Sequence, residues 1–325
     1  MTNATEQRVE RLPVGAGWIP DSFEAGFLRQ RDWRLWEVLS FYFGGLGTGL
    51  YVISALLDSR ASGDAPRGTI VGMILGFLLV IVAKNGSHLM ASTHPSKALR
   101  SMSKPGSSWI SRGAVAIFIF GVFGALDIVV RLGWIPGDGE TIGWIFAIIA
   151  LASAFVVMVY IGFVMAEART IALWHTPLLP VMYLAFSLVL GSALATGIFN
   201  LAGIEYDTAL LRIILLVTIP VTVFLMLAHL SFLGFSNEAA RLSMQMLTKG
   251  EVAASYIGGV LVVGLVAPLI LTAAAYGADG AARWVSVISA VLMVIGGYLF
   301  YSSMFRAAVF SPVVQPGARS VVVVP

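Results

Sequence analysis

Residues 143–165 read GWIFAIIALASAFVVMVYIGFVM, without a single charged side chain. At the rise of an α-helix, a run of about 20 residues crosses the ~30 Å hydrocarbon core of a bilayer. Lipid offers no water to hydrogen-bond with backbone N–H and C=O groups, so a spanning segment of this kind satisfies them internally by forming a helix. This stretch therefore predicts a transmembrane α-helix.

Seven further apolar runs of similar length have the same character. The eight predicted spans are residues 36–58, 68–90, 111–133, 143–165, 178–201, 210–233, 252–276 and 284–305. The chain of 325 residues is 58% hydrophobic and only 11% charged, with a mean hydropathy of +0.90. A soluble fold of this length cannot hide so much apolar surface. We predict an all-α integral membrane protein with about eight transmembrane helices.

Small residues suggest how these helices are arranged. Gly45 and Gly49 are four residues apart in the first span, and Ser187, Gly191 and Ala195 repeat that spacing in the fifth. Such spacing allows helix backbones to approach closely. We therefore predict two packed four-helix halves. The predicted units are a polar N-terminal segment (1–35), a first four-helix bundle (36–165), a second four-helix bundle (178–306) and a C-terminal tail (307–325).

An even number of spans places both termini on one side of the membrane, which we call the terminal face. Five of the 20 Lys and Arg residues are predicted on the opposite face, which leaves 15 on the terminal face. Those five are Arg60, Arg67, Arg131, Arg212 and Arg283. The positive-inside rule then predicts cytoplasmic termini. The eight Trp residues, among them Trp174, fall at predicted span ends and are interpreted as interfacial aromatic belts. With the bases beside membrane spans and a net charge of only +3, we expect no nucleic-acid partner.

The absence of cysteine excludes disulfides and iron-sulfur clusters held by thiolates of this chain. The four histidines all fall at or beyond terminal-face ends of predicted spans. They are His88, His94, His175 and His229. Two haems stacked across a bilayer need axial ligands in both leaflets, so a two-haem cytochrome is excluded. No histidine-rich metal spacing occurs, and we expect no metal site. Electron chemistry would depend on the cofactors of a partner.

Ionisable residues within spans are candidate functional groups because burying them in lipid is unfavourable. Lys84, Asn85 and His88 lie within one helical turn near the terminal face, where Glu37 opens the first span. These side chains could form a polar pocket. The alternative is that Lys84 extends to lipid headgroups and Glu37 pairs with Arg34 or Lys84.

The third span contains an acid and a base near the opposite face. Asp127 and Arg131 are spaced i,i+4, which places their side chains next to each other on a helix. One interpretation is an internal ion pair. The other is a proton path that includes Lys84, Asp127 and Arg131.

Several motifs together resemble those of the polysulfide reductase membrane subunits, the NrfD-type membrane anchors. The motifs are FYFGGLGTG from Phe41, HPSKALR from His94, SWISRG from Ser108, VYIGF from Val159, WHTPLLP from Trp174 and SNEAAR from Ser236. They are distributed over most of the chain.

The resemblance implies a haem-free, eight-helix subunit of a bacterial or archaeal cytoplasmic membrane. Such a subunit passes electrons between the quinone pool and a four-cluster iron-sulfur subunit, usually beside a molybdopterin catalytic subunit. It also implies a quinone or quinol site in the first four-helix half, at positions that correspond to Glu37, Ser40 and Tyr160. Helical spacing adds His88 to these candidates.

A basic loop follows the second span on the same face as the expected quinone site. We expect this loop to dock the iron-sulfur subunit through His94, Lys97, Arg100, Lys104 and Arg112. The alternative for these bases is that they bind anionic lipid or fix the topology. Two other functions remain open: a secondary transporter or proton-conducting module, and the subunit of a b-haem quinol oxidase.

Overall fold

A computed structural model describes residues 27–60, 68–134, 139–274 and 281–311, and within them eight helices are long and apolar enough to span a membrane. These are α1 (Leu35–Arg60), α2 (Thr69–Ala91), α3 (Trp109–Arg131), α4 (Gly139–Ala166), α5 (Leu178–Ala202), α6 (Thr208–Gly234), α8 (Ala254–Ala274) and α9 (Ala281–Arg306). The short helix α7 (Glu238–Thr248) lies between α6 and α8. The predicted all-α membrane fold is confirmed. Most of the predicted N-terminal segment and C-terminal tail lies outside the described residues.

Two spans contain irregular turns that the apolar pattern does not reveal. Helix α2 changes to π-helix over Leu79–Lys84, and α8 is π-helical over Ala254–Val266. In a π-helix the hydrogen bonds run from i to i+5, and such segments occur frequently at functional sites. A 3₁₀ helix, Pro95–Met102, follows α2 on the terminal face. The π segment of α2 ends at the candidate residue Lys84.

Helices α1 and α5 form the interior of the bundle. In the apolar 18-residue stretch of each span, 83% of the residues of α1 and 72% of those of α5 are buried. The corresponding share is 44% or less in the other spans. A Cβ atom built on Gly49 would lie 2.9 Å from the carbonyl carbon of Ser187 and 3.1 Å from the Cα of Gly191. The small residues of α1 and α5 thus allow these two backbones to approach closely. One core cluster contains residues of both halves, and the division into two bundles stays a prediction.

The two ends of the described chain meet on the terminal face. Strands β1 (Leu28–Arg29) and β2 (Val309–Phe310) pair antiparallel, and Ile171 forms a bridge to Phe310. Next to this sheet, the indole Nε1 of Trp174 donates to the carbonyl oxygen of Met304 at 2.8 Å. Trp174 is 2% exposed, so the prediction that it belongs to an interfacial belt is wrong. Its indole instead ties the α4–α5 loop to the end of α9.

Candidate functional site

The terminal-face ends of α1, α2 and α4 bring together five predicted residues, which we call the terminal cluster. They are Glu37, Ser40, Lys84, His88 and Tyr160. At its centre Lys84 is 2% exposed, and its Nζ lies 5.7 Å from the centroid of the Tyr160 ring, which is itself buried. Among the described residues, no carboxylate oxygen lies within 4.0 Å of this ammonium group. The structure therefore places an ammonium group inside the bundle with an aromatic ring as its neighbour.

Glycines on two neighbouring helices make room for these side chains. Gly44 of α1 faces Lys84, and a Cβ atom there would lie 3.6 Å from the lysine Cδ, an ordinary contact. Gly113 of α3 faces Tyr160 much more closely, because a Cβ atom there would lie 2.6 Å from the ring Cγ. Only glycine allows the Tyr160 ring to occupy this position beside α3.

Ser40 lies one turn before Gly44 on the same face of α1. It is fully buried, and no described group forms a hydrogen bond with its Oγ atom. Buried hydroxyl groups are normally satisfied, since an unsatisfied one costs ~1–3 kcal/mol. This hydroxyl lies one helical turn from the glycine that faces Lys84, and it is a candidate contact for a polar ligand atom.

Glu37 and His88 occupy the rim of the cluster. The Oε2 of Glu37 accepts the backbone N–H of Arg34 at 2.8 Å, so this carboxylate caps the first turn of α1. His88 is exposed, within electrostatic reach of both Lys84 and Glu37. The alternative in which Lys84 extends to headgroups is wrong, because Lys84 is buried. Glu37 does contact Arg34, but through the backbone.

A second group of polar residues, buried or half-buried, lies at the other end of α1, and we call it the opposite network. Its members are Tyr51, Asp58, Thr69, Asp127 and Arg131. Asp127 accepts hydrogen bonds from the Tyr51 hydroxyl at 2.6 Å and from the Arg131 Nε at 2.8 Å. Arg131 also forms an ion pair with Asp58, which accepts from Thr69 at 2.9 Å. The predicted ion pair of Asp127 and Arg131 is thus part of a larger network whose charged groups are all paired.

The three residues of the candidate proton path are divided between these two groups. Gly44, which contacts Lys84, and Tyr51, which contacts Asp127, are seven residues apart on α1, or about 10 Å along its axis. Between them, Gly47 packs closely against Leu79 and Val80. The structure brings Asp127 and Arg131 together but leaves Lys84 apart, with apolar packing in between.

Sequence reasoning did not identify Asp58 or Tyr51. Asp58 closes the first span at the same membrane level as Arg131, and that shared level was the available signal. Tyr51 gave no such signal, because a tyrosine within an apolar span resembles any other core aromatic residue.

The basic loop between α2 and α3 is partly exposed. His94, Arg100 and Lys104 are exposed, whereas the side chain of Lys97 lies outside the described part of the chain. Arg112 folds back onto its own loop, donating to the carbonyl oxygens of Pro105 at 2.9 Å and Gly106 at 3.0 Å, and its guanidinium lies 4.4 Å from the centroid of the Trp109 ring. Arg112 therefore holds the loop, and docking through the exposed bases stays a prediction.

The described residues form eight spanning helices, of which α1 and α5 are the most buried, and polar groups lie at both ends of α1. These features define a multi-pass membrane protein with a candidate ligand site near the terminal face. The family model described as polysulphide reductase, NrfD, matches residues 29–310, which is most of the chain. The chain therefore belongs to the NrfD family. A search of curated proteins finds no match.

Proposed function

We propose that this protein is the quinone-reactive membrane anchor of an oxidoreductase complex. In this role it exchanges electrons between the membrane quinone pool and a four-cluster iron-sulfur subunit, which adjoins a molybdopterin catalytic subunit. Membership of the NrfD family supports the class of complex. One observation carries the proposal. Lys84 is buried beside the Tyr160 ring, and no carboxylate of the described residues pairs with it.

The terminal cluster suits the chemistry of a quinone headgroup. Quinone carbonyl oxygens accept hydrogen bonds, and reduction adds two protons, so donors are needed at about 3 Å. The Tyr160 hydroxyl, the Ser40 hydroxyl and the Lys84 ammonium group are such donors, and Ser40 has no other partner. Because Tyr160 and Lys84 are buried, a headgroup reaches them only after neighbouring side chains move.

The remaining residues of the cluster provide charge and proton exchange. An ammonium group fixed in a low-dielectric site stabilises negative charge that develops on a quinone oxygen. Exposed His88, at the rim, connects the cluster with the aqueous face and relays protons. Glu37 holds the start of α1 and adjusts the local charge.

The partner docks on the terminal face in this proposal. His94, Arg100 and Lys104 form an exposed basic surface there, complementary to an acidic surface on an iron-sulfur protein. Electron transfer weakens steeply with distance, so a partner on this face is well placed for a quinone in the terminal cluster. With 15 of the 20 basic residues assigned to this face, we propose that it is cytoplasmic.

Affinity purification of the full-length chain from mild detergent, followed by mass spectrometry, tests the function. An anchor brings down an iron-sulfur protein and a molybdopterin protein, whereas a transporter is recovered alone. Arg100→Glu with Lys104→Glu should release the partner while membrane insertion persists. Arg241→Glu with Lys249→Glu, which also reverses two exposed charges but lies outside this loop, is the matched control and should retain it. Recovery of the chain without redox partners would contradict the anchor role. A complex that survives the reversal of Arg100 and Lys104 would contradict the proposed docking surface.

A further inference from the structure

A cavity of ≈ 190 Å³ opens near the opposite face, between α5, α6, α8 and α9. Its volume is several times the ~30 Å³ that one water occupies in the liquid. Most of the side chains that line it are polar. They include Asn200, Tyr206, Arg212, Arg283, Ser286 and Ser289.

Two of the described lining side chains are basic. Arg212 belongs to the first turns of α6 and Arg283 to the first turn of α9. Arg283 donates to the backbone carbonyl oxygen of Leu201 at 3.3 Å, a neutral acceptor that leaves its charge uncompensated by that bond. The described lining residues include no carboxylate. The nearby Asp207 caps α6, accepting the N–H of Leu210 at 2.9 Å.

Neutral hydrogen-bond donors accompany the two guanidinium groups. The Asn200 amide donates to the Tyr206 phenolic oxygen at 2.8 Å, and this leaves the phenolic O–H available as a donor. Burial raises the pKa of Tyr206, although the bond from Asn200 and the charge of Arg212 act in the other direction. The phenol therefore stays protonated and can donate to an anion at neutral pH.

The site also lies at the depth of lipid headgroups, because the ends of three spans surround it. Trp284 follows Arg283 and is exposed, as expected of an interfacial residue. Exposed apolar side chains continue from the cavity along the lipid-facing surfaces of the same helices, with Ile213 and Val217 on α6 and Ile288 on α9. These surfaces suit acyl chains below a bound headgroup.

We propose that this cavity binds a phosphate-class anion through Arg212, Arg283 and the surrounding donors, either as the headgroup of an anionic phospholipid or as free phosphate. Planar guanidinium groups match phosphate oxygens in charge and in forked geometry. Basic pockets between transmembrane helices bind anionic headgroups by the same chemistry. The proposal is independent of the quinone site, which lies near the other face.

Native mass spectrometry of the full-length chain in mild detergent, with any subunits that accompany it, tests the site. The probes are phosphatidylglycerol, zwitterionic phosphatidylcholine and inorganic phosphate. We expect one phosphatidylglycerol to bind about tenfold more tightly than phosphatidylcholine, and Arg212→Gln with Arg283→Gln to abolish that preference. Arg241→Gln with Lys249→Gln removes the same charge at the terminal face and should preserve it. Arg283→Gln alone, at an exposed position, gives the same test if the double variant fails to assemble.

The outcomes separate the two sources. Phosphatidylglycerol preference that is lost with the pocket arginines assigns the site to a lipid headgroup. Binding of inorganic phosphate that depends on the same arginines, without a lipid preference, assigns it to the free anion. Anion binding that survives loss of the pocket arginines, or that is equally weakened by the control variant, would overturn the proposal. The proposal would also be overturned if neither phosphatidylglycerol nor inorganic phosphate bound to the protein.

Discussion

The two ends of α1 both bury polar side chains, but they differ in whether those side chains have partners among the described residues. In the opposite network, Asp127 accepts from Tyr51 and Arg131, and Arg131 is shared between Asp127 and Asp58. In the terminal cluster, no described carboxylate pairs with Lys84, and the Ser40 hydroxyl has no partner.

This difference separates stability from binding. A buried polar network whose members are paired holds its helices in register, and loss of one member leaves the others unsatisfied. A buried cation and a hydroxyl without partners lower stability, and sites of ligand binding are where such strain is kept. The opposite network accordingly ties α1, α2 and α3 together, while the terminal cluster has the features that we propose to serve ligand binding.

The largest expected effect on stability comes from Asp127→Ala. This change leaves the Tyr51 hydroxyl without its acceptor and removes one of the two carboxylates around Arg131. We expect a loss of about 3 kcal/mol in the free energy of unfolding, measured in detergent mixed micelles. Glu238→Ala is the control, because its pair with Arg241 is more than half exposed and should contribute less than ~1 kcal/mol. Equal losses in both variants would show that the opposite network has no special role.

At the other end of α1, Lys84→Met should reduce quinone-linked turnover without lowering stability. Methionine keeps much of the side-chain volume and removes a buried charge, so stability should be unchanged or higher. Quinone-linked turnover should fall by about 10²-fold, the usual scale for loss of a positioned proton donor. Artificial-dye activity of the catalytic subunit should persist. A variant with lower stability but wild-type quinone-linked turnover would assign Lys84 to structure.

A pair of glycines tests the geometry around Tyr160. Gly113→Ala places a methyl group against the Tyr160 ring, and we expect a loss of about 1–3 kcal/mol in stability together with reduced quinone turnover. Gly44→Ala makes only ordinary contacts at 3.5 Å and 3.6 Å with Ile161 and Lys84, and it should be tolerated. Thermal unfolding and turnover of both variants decide the matter. Similar behaviour of the two would mean that the ring position does not matter.

The smallest effect concerns an exposed ion pair outside the bundle interior. The hydrogen bond from Arg29 lowers the pKa of Glu251 below its ordinary 4.5. Because the folded-state pKa is lowered, the pair stabilises the protein above about pH 4.5, and this contribution is lost as the pH falls through the folded-state value. In Glu251→Gln, the free energy of unfolding should fall less as the pH is lowered below 4.5. The difference from the wild type should be well under ~1 kcal/mol. An unchanged dependence on pH would show that this pair contributes nothing.

The eight spans could be predicted from sequence because the thickness of hydrocarbon imposes the length of each apolar run. The i,i+4 spacing likewise predicted the contact of Asp127 with Arg131, which is local to one helix. The π turn before Lys84 was not predictable, since it depends on how α2 packs against its neighbours. Asp58 joins the opposite network from another helix, and a contact between helices has no fixed sequence spacing.

Trp174 shows the limit of a pattern that is otherwise reliable. Its position at a span end is typical of an interfacial residue. It is nevertheless buried, next to the small sheet of β1 and β2. The hydrogen bond to Met304 that explains its burial joins residues 130 positions apart. Only the tertiary structure reveals such a contact.

The most direct test of the central claim is the affinity of the purified protein for a short-chain quinone analogue, measured by equilibrium dialysis in two matched variants. Tyr160→Phe in α4 and Tyr51→Phe in α1 each remove one hydroxyl from a buried tyrosine and keep the ring. Tyr160→Phe should weaken binding about tenfold with stability unchanged, whereas Tyr51→Phe should lower stability by about 1–3 kcal/mol with binding unchanged. Weaker binding in Tyr51→Phe and wild-type affinity in Tyr160→Phe would contradict the account and move the quinone site away from the terminal cluster.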